Sequence, residues 1–282
     1  MTIRPLDSTR LGAYLKRIGH DAASPRPDQA TLDAVVKAHV QAIPFENIDV
    51  QMGQPLTTDA DAAFDKLVAR HRGGWCYEHN GLLGAALAAM GFQVTRMSAG
   101  VMRQVRGDEC MGTHLCLRVE CGGAWLVDAG FGSWLGAPVP LEEGDWTHAP
   151  YPVILRMTDD GHWRISVGQG ASAMSYDFRE EPADEEQLSR LCQWQASHPD
   201  SIFVQNLAVQ RRDRDRYLML RGKVLSCVTQ AGEARQELVS ADDLVETLRT
   251  TFLLDTPEAA RLWPAICARH EALFGVQAEP TT

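Results

Sequence analysis

Over the first ninety residues, apolar positions recur at helical spacing. Leu11, Leu15 and Ile18 ahead of Gly19 predict a helix over 6–18. After Pro27 and Asp28, residues Leu32, Val35, Val36, His39, Val40 and Ile43 form one apolar stripe, which Pro44 ends. A short helix is expected over 59–69, and another over 76–90, stopped by Gly91.

From Phe92 the period shortens to that of strands. Runs at 93–103, 114–120, 124–128, 153–157, 163–167 and 175–178 are separated by turn-forming positions such as Gly122, Gly123 and Asp159, Asp160, Gly161. These runs predict a sheet or small barrel. After a charged stretch at 179–186 the pattern mixes: a helix over 185–196, strands across 217–229, and helices over 241–252 and 257–270. Helices, then strands, then a mixture indicate the α+β class rather than a doubly wound parallel sheet. The implied segments are 1–91, largely helical; 92–185, largely strand; and 186–282, mixed.

Composition narrows the function classes. With 45% hydrophobic and 23% charged residues over 282 positions, the chain can bury a sizeable core. A net charge of -10 argues against a general nucleic-acid binder, which needs a basic face to displace counterions. The one basic cluster, Arg211, Arg212, Arg214 and Arg216, alternates with Asp213 and Asp215 and reads as a solvated turn or strand edge. No run approaches the roughly 20 apolar residues that span a bilayer, and MTIRPLDSTR lacks an apolar signal core, so a cytoplasmic location away from membranes is expected. The seven scattered cysteines fit a reducing compartment and free thiols.

Three segments carry chemistry. RGGWCYEHN at 72–80 puts Cys76 directly after a glycine-rich turn, at the start of the 76–90 helix. Free N–H groups and the positive end of the helix dipole there favour a thiolate, and they can donate to an oxyanion on an attacked carbonyl. A small buried hydrophobe at a helix start would look the same. GTHLCLRV at 112–119 supplies His114 near the start of a strand, and VDAGFG at 127–132 supplies Asp128 at the end of the next. Alone, His114 reads more readily as a structural histidine and Asp128 as a turn former. Together, a helix-borne cysteine, a strand-borne histidine and a carboxylate on the adjoining strand make the papain-like and transglutaminase-like arrangement for activating a thiol. Arg72 and Glu78 flank the cysteine and are expected to pair with each other. Neither His71, Cys76, His79 nor Cys110, Cys116, Cys121 has the spacing of common zinc sites, so no metal is expected.

RGGWCYEHN resembles the active-cysteine motif of the arylamine N-acetyltransferases. PFEN at 44–47 resembles that family's segment between its second and third helices. GTHLCLRV and VDAGFG resemble its histidine strand and aspartate turn, all four in the family's order over about 1–135. The resemblance implies an N-terminal helical bundle (1–91), a central antiparallel β-barrel (92–185) and a C-terminal α/β lid (186–282). It implies Cys76 as the acetylated nucleophile, His114 as base and later acid, and Asp128 as the orienting carboxylate. The implied reaction carries acetyl from acetyl-CoA to an arylamine, arylhydrazine or hydrazide by a ping-pong route. Phe45, Phe131 and Phe203, the last within SIFVQN at 201–206, would face the acceptor ring. Thr113 and Gly130 would face CoA. The expected form is a monomer or weak homo-oligomer. A cysteine hydrolase or amide synthase with the same three residues is the competing expectation.

Overall fold

A computed structural model describes residues 3–20, 26–168, 170 and 173–274. Helix α1 (Ser8–Ile18) begins where Asp7 accepts a hydrogen bond from the Arg10 amide and ends at Gly19 in the left-handed region. Asp28 caps α2 (Gln29–Ala42) in the same way, through the Thr31 amide. The two-residue strand β1 (Phe45–Glu46) and the short α3 (Ile48–Gln51) and α4 (Ala60–Phe64) follow, and a π-helical turn over Asp65–Ala69 completes the expected 59–69 helix. Helix α5 (Cys76–Ala89) is buried almost throughout. Its alanines and leucines pack against α1, α2 and the strands beyond, so it forms the axis of the helical layer.

Eight antiparallel strands come next: β2 (Gln93–Val101), β3 (Met111–Glu120) after a short α6 (Arg103–Arg106), β4 (Ala124–Val127), β5 (Val139–Pro140), β6 (Gly144–His148), β7 (Tyr151–Met157), β8 (Trp163–Val167) and β9 (Met174–Phe178). They pair in the order β5-β4-β3-β2-β9-β8-β7-β6. Met97, Cys116, Leu126, Val139, Val153, Ile165 and Tyr176, drawn from across this sheet, meet in one buried cluster, so the sheet curls around its own side chains. Among the described residues β5 and β6 remain its two edges, so the expected barrel is an open, curled half-barrel.

The remaining chain forms α7 (Glu185–Ser197), α8 (Ile202–Gln205), a meander of β10 (Ala208–Asp213), β11 (Arg216–Arg221), β12 (Val224–Thr229) and β13 (Gly232–Glu237), then α9 (Ala241–Thr251) and α10 (Trp263–Phe274), the last entered through a 3-10 turn at Pro257–Leu262. The expected strand run 217–229 is two strands, because Gly222 turns the chain at positive φ. The first strand of this second sheet comes from the other end of the chain: β1 pairs with β10, Phe45 opposite Gln210. Residues near 45 therefore sit in the same layer as residues near 210.

The basic cluster corrects its reading as a solvated edge. Arg212 is only 4% exposed, and its guanidinium donates to the carbonyls of Ser133, Trp134, His148 and Ala149. Arg211 likewise donates to the carbonyls of Gln41 and Thr251. Only Arg214, at a turn, and the exposed Arg216, paired with Asp213, match the expectation. Burial lowers the pKa of Arg212, and the ring of carbonyls takes the place of a carboxylate partner. The two arginines staple the second sheet to the half-barrel's loops and to the helical layer.

Candidate active site

Cys76 is the first residue of α5, and the turn before it is zipped along β1. The Gly74 amide donates to Pro44 O at 3.2 Å, and the Glu46 amide donates to Gly74 O at 2.8 Å. A Cβ on Gly73 would lie 2.4 Å from Pro44 O, so only glycine allows this approach. The helix start has no hydroxyl cap. Glu78 reaches back instead, its Oε2 accepting from the Trp75 amide at 3.2 Å.

Each of the next four residues of α5 ties the helix start to a different element. The Tyr77 hydroxyl donates to Gly112 O at 2.8 Å. Glu78 accepts from Lys66 Nζ at 3.0 Å. His79 Nε2 bonds Pro44 O at 3.1 Å. Asn80 Nδ2 donates to Leu115 O at 2.6 Å and to Asp128 Oδ1 at 2.7 Å. Arg72 and Glu78 do not pair with each other, contrary to expectation. Arg72 binds Glu46, Asp49 and Glu258, whereas Glu78 binds Lys66, and Lys66 joins the two halves through Asp49 at 2.9 Å. Burial raises the Glu78 carboxyl to about 6, with Lys66 holding it back.

His114 lies on β3 and is 2% exposed; its Nε2 is 2.7 Å from Asp128 Oδ2. Asp128, at the end of β4 and also 2% exposed, receives three further constraints: Asn80 Nδ2, the Gly130 amide at 2.8 Å on the same Oδ1, and Asn80 Oδ1 holding the Ala129 amide at 2.9 Å. Burial raises the Asp128 pKa, but His114 and Asn80 outweigh it and hold the carboxyl below its ordinary value. Burial pulls the His114 imidazole down, while Asp128 and the neighbouring Cys76 sulfur push it up to about 10. The Gly130 backbone crosses the helix start so closely that a Cβ there would sit 2.5 Å from Cys76 Cα. Strand end and helix start are thereby locked together, with the buried Cys76 thiol close enough to the carboxylate-bound His114 imidazole to raise its pKa.

Of the expected aromatics, Phe45 and Phe203 share a cluster with Cys76, and Phe131 lies against His114. Phe45 and Phe203 have ring centroids 6.1 Å apart, Phe203 also meets Trp75 at 5.7 Å, and all three share a cluster with Cys76. Phe131 lies on the half-barrel side, 5.5 Å from the His114 ring and 4.9 Å from Tyr176. Asn47 holds Phe203 in place: its Nδ2 donates to the carbonyls of Phe203 and Asn206, and its Oδ1 accepts from the Ala208 amide. The Thr113 hydroxyl is spent internally, donating to Cys110 O at 2.6 Å. Asn80, Asn47 and Tyr77 were not singled out from the sequence. For Asn80 a signal was present, since Cys76 and Asn80 stand four apart and share a helix face. All seven cysteines are free. Among the described residues, no group of three His, Cys, Asp or Glu side chains is arranged to hold a metal, and no helix is long and apolar enough to cross a membrane.

Fold and site together define a class: an α+β protein that presents a helix-start thiol to a carboxylate-bound imidazole, chemistry suited to acyl transfer through sulfur. Comparison with known proteins narrows it. A family model described as N-acetyltransferase matches residues 28–260. An arylamine N-acetyltransferase from Mycolicibacterium smegmatis is 39% identical over 261 residues, covering 89% of this chain and 94% of that protein. The structure of the Mycobacterium marinum arylamine N-acetyltransferase in complex with CoA aligns with a TM-score of 0.82 and 32% identity, over 91% of this chain and 98% of that one. That of the Salmonella typhimurium enzyme aligns with a TM-score of 0.83 and 25% identity, over 93% and 99%. The chain belongs to the arylamine N-acetyltransferase family of acyltransferases.

Proposed function

We propose that this protein carries an acetyl group from acetyl-CoA to the nitrogen of an arylamine, arylhydrazine or hydrazide through an acetyl-Cys76 intermediate. The observation that carries the reading is the buried His114 imidazole, 2.7 Å from the Asp128 carboxylate and neighbouring the buried Cys76 thiol. A relative whose structure is described as a complex with CoA supports the donor.

In the first half-reaction the Cys76 sulfur, as thiolate, attacks the thioester carbonyl. The carbon–sulfur bond to CoA breaks, and the departing CoA sulfur takes a proton from the His114 imidazolium. In the second, the acceptor nitrogen attacks the acetyl-cysteine, His114 takes the nitrogen's proton, and the Cys76 thiolate is restored. Asp128 holds the ring's orientation and balances its charge. An arylamine is uncharged at neutral pH, which suits it to the apolar surroundings of Phe45, Phe203 and Phe131. The close passage of Gly130 over Cys76 suits the family-implied CoA contact there. At Thr113, with its hydroxyl committed to Cys110 O, such a contact falls to the backbone. The three-part layout of helical, half-barrel and lid segments, and a cytoplasmic location, belong to the same proposal.

Mixing the protein with acetyl-CoA alone should leave one acetyl group on the Cys76 peptide, and steady release of CoA should require an arylamine. Equal release without an acceptor would identify a hydrolase instead. Cys76→Ala should remove both signals with the fold intact.

A further inference from the structure

A polar chain leaves the first turn of α5 toward α2 and α1, and the acetyl-transfer steps make no use of it. Tyr14 Oη lies 2.9 Å from His39 Nδ1, His39 Nε2 lies 2.9 Å from His79 Nδ1, and His79 Nε2 lies 3.1 Å from Pro44 O. Tyr14, His39 and His79 are all 0% exposed. The donors can be assigned from the far end. A carbonyl only accepts, so His79 Nε2 carries a proton and, in the neutral ring, its Nδ1 accepts. His39 Nε2 must then donate to it, which leaves His39 Nδ1 to accept from the Tyr14 hydroxyl. Every polar atom in the chain is satisfied in that one arrangement, and burial holds both imidazoles neutral, His79 at about 4.

The chain ends beside the acceptor wall. Pro44 immediately precedes Phe45, whose ring lies stacked on His79 at 6.5 Å with an 11° interplanar angle and meets Phe203 at 6.1 Å. The Gly74 amide also donates to Pro44 O, and the Glu46 amide ties Gly74 O. The turn before Cys76 therefore keeps two bonds if His79 loses its donor, whereas the Pro44–Phe45 carbonyl loses its only side-chain partner among the described contacts.

We propose that His79 is a positioning residue for the acceptor half-reaction: its Nε2–H, oriented by Tyr14 and His39, fixes the Pro44 carbonyl and so sets the Phe45 ring against Phe203. The inference rests on the acetyl-transfer reading above. The test separates the two half-reactions. In His79→Phe, which keeps a ring and removes the donor, acetylation of Cys76 by acetyl-CoA should stay within about twofold of wild type, while the arylamine KM rises about tenfold. His79→Gln, which returns an N–H donor, should bring that KM back to within about threefold. A parallel fall in both half-reactions, or no rescue by glutamine, would overturn the positioning role. Should His79→Phe not fold, Tyr14→Phe must show the same split at smaller size, and an even loss or none would overturn it equally. A wild type that takes no acetyl on Cys76 would defeat the transfer reading as well, and so the two failures differ.

Discussion

His114, on β3, and His79, in the first turn of α5, are both buried, and each uses Nε2 to bind a single oxygen. They end in opposite states. His114 faces the Asp128 carboxylate and the Cys76 sulfur, which carry its pKa to about 10; His79 faces a carbonyl and another imidazole, and burial takes it to about 4. Burial alone would neutralise both rings, so the partner's charge decides. The surroundings of His114 favour a charged ring, and those of His79 a neutral one, even though the buried Lys66–Glu78 pair lies on the same helix turn as His79.

The largest effect should come from making the surroundings of His114 resemble those of His79. Asp128→Asn preserves the volume but lets an amide N–H face the imidazole, favouring the wrong tautomer and removing the charge that keeps the ring protonated. We expect kcat/KM to fall about 10⁴-fold in protein that remains folded. Activity within tenfold of wild type would remove Asp128 from its role. Next in size is Gly130→Ala. Its methyl must displace Cys76 Cα, 2.5 Å away, or push the strand end off the helix. A misplacement of this order should slow Cys76 acetylation about 10²-fold, read in a single turnover with acetyl-CoA alone. Full acetylation in this variant would show that the close approach is incidental.

Much of this was legible locally. The helices followed the apolar period and their caps, Asp28 and Gly19 among them, and Cys76, His114 and Asp128 sit on the elements read for them. What escaped depends on distant partners. Strand β1 is two residues long, too short for any period, and exists because Phe45 and Glu46 find Gln210 and Val209. The misreading of Arg211 and Arg212 has the same kind of cause: alternation with aspartates looks solvated, yet Arg212 reaches carbonyls of the half-barrel loops and Arg211 those of Gln41 and Thr251 on helices. Arg72 and Glu78 lie close in sequence, but the π-helical turn brings Lys66 to Glu78 first. His39 read as one position of an apolar stripe, and its link to His79 crosses 40 residues.

The smallest effect reads the two histidines through stability against pH. His79 has a folded pKa of about 4, below its unfolded value near 6.5, so the unfolded chain binds the extra proton first as pH falls. Stability should therefore decline from about pH 6.5 downward, this residue contributing roughly 2 kcal/mol of loss by about pH 5, with His39 acting in the same direction. His114 has the opposite sign. Its folded pKa of about 10 lies above the unfolded one, so its contribution is complete below about pH 6.5 and is lost as pH rises toward 10. One histidine erodes the fold from the acid side and the other from the alkaline side. Urea unfolding across that range should show His79→Gln flattening only the acid limb and His114→Gln only the alkaline limb. If both variants flatten the same limb, the two rings share a charge state, and the contrast between His114 and His79 fails.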